Sequence, residues 1–375
     1  MKPFILLVFF TLSVFGECLK VTSSAPHGLE QEVDALVESY ADAYGIPGVV
    51  VLVGHKDSIS FHKAYGSIDG KMKMPKDAIF DVASITKLFT ATALLKSLEQ
   101  NRLPFETRVS GVLKEYQRKE TFELQFEDLL RHQSGLRPSM GSNLYKLNAL
   151  DSWKAILNTD PEYKFGKFKY SDVNYLVLGK ALEKLESSSL DVAVKRLVTN
   201  PLGLKNTSFT PMSGLSNCKE KCVPTGSSYS LGAVHDPTSR HLGGVAGHAG
   251  IFSTATDLAH FARMFLSGGV GCKEKVISEK QVNSMTVKTP TSSRGLGFDI
   301  SSRYSEKPSG DYFSKGISFG HTGYTGASIW IDPTIDTYLI VLSNSVYARD
   351  WKRAKKGYLK LITELANSIG KAYSF

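Results

Sequence analysis

Gly48-Val49-Val50-Val51-Leu52-Val53-Gly54 decides the fold. Four valines and a leucine between two glycines read as a β-strand, because β-branched side chains suit a pleated, packed surface. A second β-rich stretch, Ile59–Ala64, follows across Asp57 and Ser58, which predicts a hairpin. Upstream, Leu29, Val33, Leu36, Val37 and Tyr40 recur at helical spacing, so 28–43 is predicted as a helix. Downstream, Ser84–Leu98 reads as a helix free of Gly and Pro. Further helices are predicted at 126–133, 149–158, 172–186, 189–199, 255–267 and 278–285. Strands return at Ile317–Gly320, Ser328–Ile331 and Thr337–Leu342, the last two joined by a turn over Asp332–Asp336. An amphipathic helix over 350–369 closes the chain, with Leu359, Ile362, Leu365 and Ile369 in register. Strands at both ends and helices between predict an α+β fold. One antiparallel sheet flanked by helices would be built from both ends (28–80 and 290–375), with a mainly helical lobe (81–289) inserted. A cleft at such a lobe boundary is a common place for a small molecule.

Composition narrows the function. The chain has 375 residues, 42% of them apolar and 10% aromatic, so it can bury a core and is not a disordered segment. Forty-five basic against 36 acidic residues give a net charge of +9. The basic clusters Lys71, Lys73, Lys76 and Lys164, Lys167, Lys169 are interrupted by Gly, Met and Phe, and there is no zinc-finger or RNP pattern, so no nucleic-acid partner is predicted.

Met1-Lys2 precedes an apolar run, Phe4–Phe15, too short to span a bilayer but right for the core of an export signal. A signal peptide over 1–18 is expected, with cleavage after Gly16 or Cys18. No later stretch approaches the length a membrane span needs. The mature protein is expected to be secreted, or periplasmic if the source is bacterial. Export permits disulfides. With four cysteines, a Cys218–Cys222 or a Cys222–Cys272 bridge is plausible, whereas a zinc site lacks a second cysteine pair. Asn206-Thr207-Ser208 is a glycosylation sequon if the host is eukaryotic. His235, His241 and His248 have spacings that fit no familiar metal-ligand pair, so loop roles are expected, with His248 near the cleft.

Three motifs carry chemistry. In Ser84-Ile85-Thr86-Lys87 a hydroxyl and an amine stand one helical turn apart, on one face, at the positive end of a helix. A serine needs such a neighbour to become a nucleophile. Tyr170-Ser171-Asp172 places a phenol before a helical run; beside a cation it can shuttle protons. His321-Thr322-Gly323 lies in a Gly-rich strand where backbone N–H groups can meet a developing oxyanion. Each motif alone is common, and alone each is more readily read as a structural feature. Their order and separation together are specific.

Together they resemble the serine penicillin-recognising hydrolases: the class C β-lactamase, DD-peptidase and esterase superfamily. The segment Phe126 to Leu136 (FEDLLRHQSGL) resembles its "DLL-x-H-x-SGL" element, Tyr170 to Gly179 its "YS-x-x-NY-x-LLG" element, and Asn200-Pro201-Leu202-Gly203-Leu204 its "PLGM/L" element. Gly243-Gly244-Val245-Ala246-Gly247-His248-Ala249-Gly250 is similar to the loop of a bacterial branch that includes a penicillin-binding-protein-like group and an N-acetylmuramyl-L-alanine amidase.

The resemblance implies roles. Ser84 would be the acylated nucleophile and Lys87 its base partner. Tyr170 would relay the proton, and the N–H groups of Ser84 and Tyr324 would form the oxyanion hole. Asp172, Thr322, Gly323 and His248 would contact substrate. His321 stands where many members carry Lys, and Asp172 where many carry Asn. A histidine is only partly charged near neutral pH, and Asp172 would repel a substrate carboxylate. Both departures point away from efficient β-lactam hydrolysis. The expectation is a secreted serine hydrolase with an acyl-enzyme and no cofactor or metal. It would cleave an amide or ester of a small-molecule or muropeptide-like substrate. The alternatives are a small-ester carboxylesterase, a weak β-lactamase and a catalytically silent binding protein.

Overall fold

The computed structural model describes residues 19–21, 25–116, 123–226, 228–272, 274–302 and 308–374; the expected signal peptide lies outside them. Eight strands are present among the described residues: β1 (Lys20–Val21), β2 (Gly48–His55), β3 (Ser58–Gly66), β4 (Phe80–Asp81), β5 (Phe252–Ser253), β6 (Phe319–Gly323), β7 (Ala327–Asp332) and β8 (Thr337–Ser343). Six form one sheet in the order β1-β3-β2-β8-β7-β6, while β4 and β5 pair separately. The large sheet is antiparallel except at β1, which runs parallel to β3 over two residues. Strands from both chain ends meet at the β2–β8 seam, where Val51 faces Val341.

The apolar continuity of β2 has a physical cause: both faces of the sheet are covered. Val49, Val51 and Val53 pack with Val33 and Val37 of the Leu29–Tyr44 helix and with Leu361, Ile362 and Leu365 of the Trp351–Tyr373 helix. Val50 and Leu52 point the other way, into a core shared with Leu88, Leu94 and Phe261. β8 alternates likewise, Leu339 and Val341 to the first core, Ile340 and Leu342 to the second. Each such fully buried aliphatic side chain contributes roughly 1.5–3 kcal/mol.

The middle of the chain supplies helices. Asp172–Glu186 spans the expected residues, started by Ser171, whose hydroxyl accepts the N–H of Asn174. The nucleophile segment differs from expectation. Ser84 lies in a short 3₁₀ turn, Ala83–Ile85, and the α-helix runs Thr86–Gln100. That helix is buried on nearly all sides, as a central helix in a two-sided core must be. The expected 189–199 helix divides into an α segment, Leu190–Val194, and a π segment, Lys195–Thr199.

Of the two disulfides considered from sequence, Cys218–Cys222 is formed. That excludes Cys222–Cys272, although Cys272 is also disulfide-bonded. No helix among the described residues is long and apolar enough to cross a membrane.

Candidate active site

The nucleophile turn is set by its neighbours. Ala83, a non-glycine residue, has a left-handed φ of 47°, which costs about 1–2 kcal/mol. Its N–H is held by the Asp81 carboxylate at 2.8 Å, and the N–H of Val82 by Ile251 O at 3.0 Å. β6 closes over this turn. A Cβ on Gly323 would lie 2.5 Å from Val82 O, so only glycine lets the strand approach so closely.

Lys87 is fully buried, and its ammonium is surrounded. It donates to Ser84 Oγ at 3.0 Å and to His248 O at 3.0 Å, and pairs with Asp172 Oδ1 at 2.8 Å. Burial opposes its charge, but the Asp172 carboxylate and the Tyr170 oxygen outweigh burial and raise its pKa above the ordinary lysine value. Lys87 is therefore a resident cation that donates to the Ser84 hydroxyl. The negative charge of Asp172 is largely committed to this ion pair.

Tyr170 has two cations near its ring. Lys87 Nζ is 5.0 Å and the Arg294 guanidinium carbon 5.9 Å from its ring centroid. The ring stacks on His132 at 4.5 Å and tilts against His321 at 6.1 Å. These two positive charges stabilise negative charge that develops on the phenol oxygen during proton transfer.

His321 is 5% exposed. Burial, followed by the nearby Arg294 and Lys87 charges, pushes its pKa well below the ordinary imidazole value. The sequence suggested a partly charged imidazole here; the structure has a neutral one. Its Nδ1 lies 2.8 Å from Thr322 O, which assigns the proton to Nδ1 and leaves a lone pair on Nε2. His132 is also buried, and for the same reasons neutral; its Nδ1 accepts the N–H of Ser171 at 3.1 Å.

Ser84, Tyr170, His321, Thr322, Gly323 and Tyr324 line one cavity of about 390 Å³. Lys87, Asp172 and His248 are not among its lining residues; Lys87 reaches Ser84, and Asp172 and the His248 carbonyl hold Lys87. His248 is buried, and its Nε2 meets Asp236 Oδ1 at 2.8 Å. The side chains of Asp172, Asp236 and His248 come within 4.8 Å of one another, but the ammonium of Lys87 already answers Asp172 there. His235 stacks on Tyr324, and His241 Nε2 meets Ser152 Oγ at 2.9 Å. Asn206 is half-buried, with its side-chain oxygen accepting from Asn217 at 3.1 Å.

Sequence reasoning missed Arg294, Asp299 and Lys355, which line the same cavity. Arg294 is 1% exposed and pairs with Asp299 at 3.1 Å. Lys355 reaches in from the terminal helix, its Nζ 3.1 Å from the Tyr324 ring centroid. No carboxylate among the described residues pairs with it, and burial lowers its pKa to about 8. No local pattern marks any of the three; they are functional candidates only because the chain returns to the cavity.

Residues 33–361 match the family model described as Beta-lactamase. The chain belongs to that family. A relative from Salmonella agona described as "Putative D-alanyl-D-alanine carboxypeptidase" is 28% identical over 386 aligned residues, covering 90% of this chain and 89% of the relative. Two solved structures share the fold. One is "EstCE1, a hydrolase with promiscuous acyltransferase activity", with a TM-score of 0.71, 20% identity and coverage of 90% of this chain and 98% of that one. The other is a class C β-lactamase from Rhodobacter sphaeroides, with a TM-score of 0.67, 19% identity and coverage of 88% and 98%. The α+β fold is thus that of the β-lactamase family, and this member is a serine hydrolase.

Proposed function

We propose that this family member is an exported acyl-transferring hydrolase that removes the C-terminal residue from a cell-wall-type peptide. The observation that carries the reading is the Ser84 hydroxyl held by a buried ammonium at the wall of the cavity that Tyr170 and His321 share. Ser84 Oγ attacks the scissile carbonyl carbon, and the N–H groups of Ser84 and Tyr324 receive the oxyanion. The hydroxyl proton passes to the Tyr170 oxygen as the phenol proton moves to the leaving nitrogen and the C–N bond breaks. Lys87 stays protonated and supplies charge rather than accepting the proton. Water then attacks the ester carbonyl and passes a proton to the Tyr170 oxygen, as the phenol proton moves to Ser84 Oγ and the ester C–O bond breaks, which restores the serine hydroxyl and releases the product acid.

Lys355 supports a substrate that ends in a carboxylate. The other cations of the cavity region are committed, Lys87 to Asp172 and Arg294 to Asp299, and His321 is neutral. The Cys218–Cys222 bridge, with Cys272 also oxidised, supports export to a disulfide-forming compartment.

A second reading, a small-ester carboxylesterase, is favoured by the neutral His321, because β6 then carries no cation to select acids. One experiment separates them. Wild-type protein and Ser84→Ala are incubated with nitrophenyl butyrate, a muropeptide and a β-lactam, then weighed intact by mass spectrometry. We expect an acyl mass on the wild type only, with release of the terminal amino acid from the muropeptide. Ester turnover without muropeptide cleavage establishes the esterase, and acylation of Ser84→Ala overturns both readings.

A further inference from the structure

Asp81 takes no part in the chemistry above, yet each of its acceptor groups leads toward it. The residue is 2% exposed. Its Oδ1 accepts the N–H of Ala83 at 2.8 Å, its Oδ2 the N–H of His235 at 2.7 Å, and its main-chain oxygen the Thr325 hydroxyl at 2.6 Å. These are three separate segments. Ala83 directly precedes the nucleophile, Thr325 directly follows Tyr324, and the His235 ring stacks on Tyr324 at 5.3 Å with 30° between planes.

We infer that Asp81 is the positioning residue that holds the two oxyanion donors, the N–H of Ser84 and the N–H of Tyr324, in mutual register. The inference rests on the reading of Ser84 as nucleophile. One end of the brace is the left-handed turn at Ala83 (φ 47°), which a protein retains only where its surroundings enforce it. Oδ1 enforces it by capturing the N–H that this turn presents. The other end is the β6–β7 turn, gripped once through Thr325 and once through the His235 stack. Only a carboxylate fits the middle, because both side-chain oxygens face N–H donors. An asparagine would turn an NH₂ group toward one of them. Burial pushes Asp81 up to about 6, against the pull of its two N–H donors, so near neutral pH both oxygens accept.

The donors act on the oxyanion of the transition state, not on the ground-state carbonyl. Loosening them should lower kcat and leave KM nearly unchanged. Asp81→Asn, Thr325→Val and Ser84→Ala are compared with wild type on nitrophenyl butyrate by steady-state and burst kinetics, with melting curves for each. We expect kcat to fall about 30-fold in Asp81→Asn and about fivefold in Thr325→Val. KM should stay within threefold of wild type in both variants. Thr325→Val keeps the side-chain volume, so it decides the matter if Asp81→Asn does not fold. Wild-type kcat in a folded Asp81→Asn, or in Thr325→Val, overturns the inference while an inactive Ser84→Ala leaves the nucleophile standing. A loss carried entirely by KM also overturns it. An active Ser84→Ala removes the nucleophile and the inference with it.

Discussion

Gly247→Ala puts a methyl group where the structure has no room. The new Cβ would sit 2.1 Å from Tyr175 O and 3.1 Å from Gly179 N, on the helix that carries Asp172. Ordinary contact begins near 3.4 Å, so the Gly243–Gly250 loop must retreat by about 1 Å, because interiors this dense do not absorb the overlap. The next carbonyl along, His248 O, holds Lys87 at 3.0 Å. A retreat of that size stretches the bond to about 4 Å and ends it. Lys87 keeps Asp172 but loses the partner that fixes its height against Ser84. Misplacement by about 1 Å can cost a hundredfold in rate, so kcat should fall by about that factor with a much smaller change in KM. Overpacking should also cost about 1–3 kcal/mol of stability, seen as a melting point lower by several degrees. The assay is nitrophenyl butyrate turnover beside a thermal melt. Gly111→Ala is the control, since the nearest atom to its new Cβ is 3.9 Å away. A Gly247→Ala protein with a lowered melting point and kcat within twofold of wild type would refute the reasoning.

Two further outcomes follow from the charges around Ser84. Lys355 has a pKa lowered to about 8 by burial, so it is charged below that pH and neutral above it. KM for a peptide ending in a carboxylate should therefore rise as pH passes 8, and KM for an uncharged ester should not. Lys355→Gln should raise the peptide KM about tenfold and flatten that pH dependence; an unchanged peptide KM removes Lys355 from substrate binding. Asp172→Asn takes away the anion that keeps the buried Lys87 protonated. Desolvation then favours the neutral amine, and the alkaline limb of kcat against pH should move down by about one unit or more. A limb that stays in place shows that Lys87 is not the group whose charge the reaction needs.

Much of this was readable in the chain. The strand pair around Val51 and Phe61 announces itself through β-branched runs, and the closing helix through the periodicity that burial on one side imposes. Ser84 and Lys87 are legible because they stand three residues apart in the chain, and the 3₁₀ turn that runs into the α-helix keeps them within one turn of each other. Tyr170 and His321 were reachable only through resemblance, because nothing local says that a phenol and an imidazole 151 residues apart face one cavity.

What the sequence determined by itself was the kind of elements, their order and the chemical groups available. What the tertiary structure decided was the state of those groups. Burial made His321 neutral, the Asp172 carboxylate kept the buried Lys87 charged, and Arg294, Lys355 and Asp81 became relevant by closing on the same region. Charge state and register depend on desolvation and on distances through space, and neither is a property of neighbours along the chain.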